Sequence, residues 1–198
     1  MATDGFFMDL AIKAFRAGVT PRTDASREWF RQEVRSYNNI NRRKLLKDPM
    51  LEPRNRARIG SMYMYFYNPK HEETLPYYDL FPLTIMVQPV PGGFHGLNLH
   101  YLPPALRAKL FDSLVDITNN KKYDESTRFK LSYDMLKSAS KMKAFKACYK
   151  HYLYSQIEGR VAMVEAPAWE MALFLPTEQF RKSGKSAVWK DSRAKIRG

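Results

Sequence analysis

Between Ile59 and Tyr101 the chain is almost free of charge, carrying only Lys70 against Glu72, Glu73 and Asp79, and its apolar residues alternate. Met62, Met64 and Phe66 interleave with Tyr63, Tyr65 and Tyr67. A period of two in a short β-branched and aromatic-rich run is the pattern of a strand. Both faces of this strand, residues 59–67, are apolar or amphipathic, so it is expected to be covered on both sides. Residues 83–87 predict a second strand, entered through Phe81-Pro82. Residues 94–101 predict a third, with Gly96 as a candidate bulge. Pro91-Gly92-Gly93 stands between the last two as a turn signal, which predicts an antiparallel hairpin with positive φ at one glycine at least. On that reading, alanine at both Gly92 and Gly93 lowers stability by about 1 kcal/mol or more.

On either side the period changes to that of helices. Residues 5–17 place Phe7, Leu10, Ala11, Ala14 and Phe15 on one face, and Gly18 and Pro21 stop the run. Asp24 or Ser26 is expected to cap a second helix over residues 26–38, with Trp29, Phe30, Val34 and Tyr37 as its apolar stripe. Asn41 to Lys47 predicts a further basic turn of helix. After Pro103-Pro104, residues Leu106, Leu110, Leu114 and Ile117 share a face up to Asn119-Asn120. Helices are also expected over 126–138, 141–154, 167–174 and 185–196, with Gly159 ending the second of these, and a fourth strand over 160–164. The expected fold class is α+β: a small antiparallel sheet from residues 59–101 and 160–164, wrapped by N- and C-terminal helices. At 198 residues this fits a single domain, with 181–198 as a mobile basic tail.

The flanks hold the charge. Residues 27–58 carry ten Lys/Arg and four acids, residues 121–160 ten and four, and residues 181–198 seven and one, within a net charge of +13. Such an excess around a nearly uncharged centre points to a polyanionic partner, because Lys and Arg displace counterions from phosphates without reading sequence. The phosphate-binding set expected is Arg42, Arg43, Lys44, Arg54, Arg56 and Arg58, together with Lys185, Lys190, Arg193 and Lys195 in the tail. The bland alternative is a solvated face. A single cysteine, Cys148, excludes an intramolecular disulfide framework and a cysteine-rich zinc site, and is expected to be a buried thiol. No apolar run is long enough to span a bilayer, and the N-terminus lacks the pattern of a secretory signal, so an intracellular protein with no membrane partner is expected.

Catalytic motifs are weak. Gly184-Lys185-Ser186 ends like a P-loop, but that motif needs a glycine where the chain has Gln179. His71, His95, His100 and His151 show no metal-ligand spacing, and no cofactor is expected. A metal-dependent nuclease would draw on Asp79, Glu72 and Glu73, with Glu165 as a further acid, but no acid–x–lysine pair lies on the second strand. The aromatics Tyr63, Tyr65, Phe66, Tyr67, Tyr77, Tyr78, Phe81, Phe94 and Tyr101 either stack on unpaired bases or form the core; their alternation with Met and Leu favours the core.

The runs Met62-Tyr63-Met64-Tyr65-Phe66-Tyr67-Asn68-Pro69-Lys70, Leu75-Pro76-Tyr77-Tyr78-Asp79-Leu80-Phe81-Pro82-Leu83 and Gly92-Gly93-Phe94-His95-Gly96-Leu97-Asn98-Leu99-His100-Tyr101-Leu102-Pro103 resemble a family of tailed-bacteriophage proteins labelled DNA end protectors. Asn119-Asn120-Lys121-Lys122-Tyr123-Asp124 and Leu173-Phe174-Leu175-Pro176-Thr177-Glu178 fit the same family, and the resemblance runs from about residue 6 to the tail. It implies a virion-associated, non-enzymatic protein at the ends of packaged linear DNA, shielding them from host exonucleases after injection into the host cytoplasm. It implies no catalytic residues. DNA and other phage particle proteins are the expected partners. The alternatives are a structural virion subunit of neck, tail or baseplate docking on other particle proteins, and a metal-dependent nuclease.

Overall fold

The computed structural model describes residues 5–21, 23–37, 39–55, 57–119, 134–135, 137–138 and 141–197. The helix expected over 126–138 falls largely outside them, as does Arg56 of the expected phosphate-binding set.

Three short helices open the chain: α1 (Phe6–Arg16), α2 (Asp24–Glu33) and α3 (Arg42–Leu45). The first turn of α1 has no capping side chain of its own; Asp48 supplies one from 41 residues away, accepting from Phe7 N at 2.9 Å. A carboxylate here meets both the free N–H groups and the positive end of the helix dipole. The cap of α2 is Thr23 rather than Asp24 or Ser26: Thr23 and Ser26 exchange hydrogen bonds of 3.0 Å in a capping box. The helix stops at Glu33, short of the expected 38, and passes into a 3-10 turn, Val34–Ser36. Phe15, expected on the buried stripe of α1, is 86% exposed, one position off the face built by Phe7, Leu10 and Ala14.

The strands among the described residues are β1 (Leu51–Pro53), β2 (Met62–Tyr67), β3 (Tyr78–Asp79), β4 (Leu83–Val90), β5 (Gly93–Asn98), β6 (Tyr149–Leu153), β7 (Ile157–Val164) and β8 (Phe180–Arg181). Six form one antiparallel sheet in the order β1-β7-β2-β4-β5-β6, and β3 pairs with β8 apart from it. The expected central strands and hairpin are all present. The third is shorter than expected, because Asn98 turns its carboxamide oxygen back onto His100 N and starts a 3-10 turn, Leu99–Tyr101. The bulge lies opposite Gly96, in β4, where the register slips between Met86 and Gln88.

Further helices are α4 (Pro104–Asn119), α5 (Lys143–Lys146), α6 (Trp169–Phe174) and α7 (Lys185–Arg197). The helix expected over 141–154 is one turn, α5, followed by strand β6. Met142, Phe145, Tyr149 and Tyr152 fit a helical period, but pairing of Tyr149–Leu153 along β5 supplies five cross-strand partners that no helix would give. Gly159, read as the end of that helix, lies inside β7.

The sheet rolls up on itself. Strands β4 and β5 separate β2 from β6, which on a flat sheet would put them roughly 14 Å apart. The rings of Tyr67 (β2) and Tyr152 (β6) are nonetheless 4.8 Å apart between centroids. The 3-10 turn Tyr154–Gln156 then carries β6 directly into β7, which pairs with β2. The result is a small open barrel. Its lumen holds Tyr63, Tyr65, Tyr67, Met86, Phe94, Tyr152 and Met163, while Met62, Met64, Leu83, Ile85 and Leu97 point outward beneath α1, α2, α4 and α6. Alternation along β2 therefore feeds two cores, as its doubly apolar pattern predicts. Ser26 on α2 ties that helix to Glu170 on α6 at 2.7 Å.

The hairpin glycines have separate duties. Gly92 has φ +73°, and a Cβ on Gly93 would lie 2.0 Å from the Tyr152 carbonyl oxygen of β6. The double substitution Gly92→Ala/Gly93→Ala is therefore expected to lower stability by more than the ~1 kcal/mol of a positive-φ glycine alone. A urea midpoint equal to that of the unsubstituted protein would contradict the close β5–β6 approach.

Candidate nucleic-acid interface

Opposite Met64 to Phe66 of β2, strand β7 runs from Ala162 to Glu158, five residues against three. The excess bulges out at Gly159, whose φ of +71° suits a residue without Cβ. Arg160 follows it on the surface. Two clefts meet at this bulge, both lined by Gly159 and Arg160. The larger, about 620 Å³, lies between the Pro53–Ala57 connection and Tyr154, and adds Arg54 and Asn55. The smaller, about 270 Å³, adds Arg43 and Lys47. The two clefts share the bulge as a common wall, and the groove they make up around it carries four cationic side chains: Arg43 and Lys47 in the smaller cleft, Arg54 in the larger and Arg160 in both. Glu158 is the acid on its lining.

The local structure explains each position. Asn41 caps α3 by accepting from Lys44 N at 3.0 Å, which sets Arg43 on the outer side of that turn, its guanidinium carbon 5.6 Å from the Phe66 ring centroid. Arg54 is fixed to the bulge by its backbone N–H donating to Val161 O at 3.0 Å. Its Nη2 donates to Glu52 at 2.6 Å, and its Nε, buried, has no partner among the described residues. The neighbouring Glu52, and then burial, raise the Glu165 carboxyl above its ordinary value.

Of the ten expected phosphate ligands, nine lie among the described residues. Arg43 and Arg54 line the groove. Lys44 and Arg58 are exposed, with Arg58 N donating to the Tyr63 hydroxyl at 2.7 Å. Arg42 is half-buried and donates to the carbonyls of Thr177 and Glu178 at 2.8 and 3.0 Å; burial lowers its pKa, and it acts as a fastener of the C-terminal segment. Lys185 pairs with Glu178 at 3.3 Å beside it. Lys190 and Arg193 are exposed on α7, and Lys195 is held 2.8 Å from Asp191. Within the segment expected as a tail, α7 is pinned by Trp189 Nε1 donating to His100 O and Ser192 Oγ to Tyr101 O, both at 2.8 Å, and by the Tyr77–Asp191 hydrogen bond.

Lys47, Asn55, Tyr154 and Arg160 escaped the sequence reading of the site. Arg160 had a signal: a glycine before it inside a strand marks a bulge. Of the crowded aromatics, Tyr63, Tyr65, Tyr67, Phe81, Phe94 and Tyr101 are buried, which is the core reading.

The acids weighed for metal binding do not converge. Glu72 and Glu73 are exposed on a 3-10 turn, whereas Asp79 is buried. Asp79 Oδ2 accepts from His100 Nδ1 at 2.7 Å and Asn98 Nδ2 at 3.1 Å, and Oδ1 from Phe81 N at 3.1 Å and Gln179 N at 3.0 Å. His100 Nε2 meets the Thr177 hydroxyl at 3.1 Å. A hydroxyl, an imidazole and a carboxylate in line resemble a nucleophile relay, but all three residues are buried, and the set locks β3 and residues 177–179 to the end of the barrel. His95 and His151 face each other across β5 and β6 with centroids 5.0 Å apart; burial and then the neighbouring His151 lower the pKa of His95. Cys148 is buried, and burial pushes its thiol up to about 12, which leaves it unreactive.

No curated protein and no solved structure matches the chain. A family model does, over residues 6–194, from α1 through the barrel and the groove to α7. With nearly its whole length covered, the chain belongs to the Phage T4 terminal DNA protecting protein family.

Proposed function

We propose that this protein is a non-enzymatic DNA-binding protein of the phage particle that seats on the ends of linear DNA and shields them from nucleases. The observation that carries the reading is the groove around the β7 bulge, with Arg43, Lys47, Arg54 and Arg160 on its walls, in a chain of this family. Guanidinium groups suit phosphate because their planar donors meet its oxygens in pairs. Lys44, Arg58, Lys190 and Arg193 add charge outside the groove and support long-range attraction. The protein travels with the virion, beside other particle proteins, and enters the host cytoplasm with the genome.

Competition binding tests this. Labelled linear duplex is displaced by unlabelled linear or closed circular DNA of the same sequence, across a series of salt concentrations. Affinity is expected to fall steeply with salt, and the closed circle is expected to compete less well per mass. Equal competition by the circle would remove the end-binding function, and absence of DNA binding would remove DNA as the partner.

A further inference from the structure

We propose that Tyr154 is the end-reading element: its ring stacks on the exposed face of the terminal base pair while the adjoining groove holds the backbone. This deepens the function proposed above and rests on it. Phosphate contacts exist all along a duplex and carry no information about where it stops. An end offers something the interior does not, a base-pair face with nothing stacked on it. A protein that prefers ends without reading sequence needs a flat, apolar, rigid surface beside its phosphate contacts, and aromatic rings serve because every base has a π-face.

Tyr154 has these properties together. It is 47% exposed, whereas the aromatics behind it are buried. Its ring rests on Phe94, centroids 5.8 Å apart and tilted by 39°, and Phe94 is stacked on Tyr152 at 5.4 Å and 29°. The outer plate of an aromatic column from the barrel lumen thus reaches the surface. Its backbone is pinned on both sides: Tyr154 N donates to Gly92 O at 2.9 Å, and Asn68 N donates to Gln156 O at 3.0 Å. Ordering the ring on binding therefore loses little conformational freedom. Tyr154 also lines the same cleft as Arg54 and Arg160, so a base pair seated on the ring would carry its own phosphates to those two guanidinium groups.

The test uses the full chain and linear duplexes carrying 2-aminopurine either in the last base pair or at the centre, with closed circular DNA as competitor. The unsubstituted protein is expected to change the fluorescence of the terminal probe and leave the central one unaltered. Tyr154→Ala and Tyr154→Leu are expected to lose the terminal signal and to lower the ratio of linear to closed-circular affinity by about 5- to 150-fold. Tyr154→Phe is expected to keep both. Leucine preserves the contact with Phe94 without a π-face, so it separates stacking from packing. If the unsubstituted protein prefers ends and the Leu variant does so equally, the role of Tyr154 is overturned and the end-binding function stands. If the unsubstituted protein shows no end preference, both fall.

Discussion

Asp79→Ala is expected to lower folding stability by about 3–5 kcal/mol, because several buried hydrogen-bond donors lose their acceptor at once, at about 1–3 kcal/mol each. The four donors of His100, Asn98, Phe81 and Gln179 that converge on this carboxylate would be left buried without an acceptor. Asp79→Asn keeps one oxygen for the two backbone N–H groups and is expected to be milder. The pH dependence follows from the same geometry. Burial alone would raise the Asp79 carboxyl, but His100 and the backbone N–H groups outweigh it, and its pKa lies below the ordinary value. A carboxyl depressed in the folded state contributes stability that is complete above its unfolded pKa, about 3.9, and is lost as pH falls through the lower folded value. The difference in urea midpoint between the unsubstituted protein and Asp79→Asn should shrink as pH falls below about pH 4. A difference that grows on acidification would contradict the assignment.

Removing all four groove cations, in Arg43→Ala/Lys47→Ala/Arg54→Ala/Arg160→Ala, is expected to reduce the log–log salt slope for linear DNA by about 3, at about 0.9 per neutralised phosphate, with Arg54 counting for less because Glu52 already pairs with it. Across a fourfold change in salt that is a difference of roughly 60-fold in affinity. The loss should be uniform over DNA sequences, because these contacts touch no base edge. The same number of charges removed from Lys185, Lys190, Arg193 and Lys195 is the comparison. Two of these are already engaged by Glu178 and Asp191, so a smaller change of slope is expected. A larger change there would move the interface to α7.

Much of the barrel was legible in the sequence because its signals are local. Alternation in β2 and the Pro91-Gly92-Gly93 turn need no knowledge of the rest of the chain. Strand β6 was not, since the spacing of Phe145, Tyr149 and Tyr152 satisfies a helix and only β5, some fifty residues earlier, decides otherwise. The same displacement hid the site. With residues 141–154 read as a helix, Gly159 became its terminator, Tyr154 its last turn, and Arg160 an ordinary strand start. Charge was legible as charge, but not as availability: Arg42 stands beside Arg43 in sequence, and its carbonyl partners lie 135 and 136 residues away.

Digestion of linear duplex by a double-strand exonuclease, with saturating protein present, tests whether the groove shields DNA ends. The unsubstituted protein is expected to leave full-length DNA intact, and the four-cation groove variant, folded to the same melting temperature, to leave it degraded at the rate of free DNA. Degradation at the free rate in the presence of the unsubstituted protein, or equal protection by the groove variant, would contradict shielding by the groove.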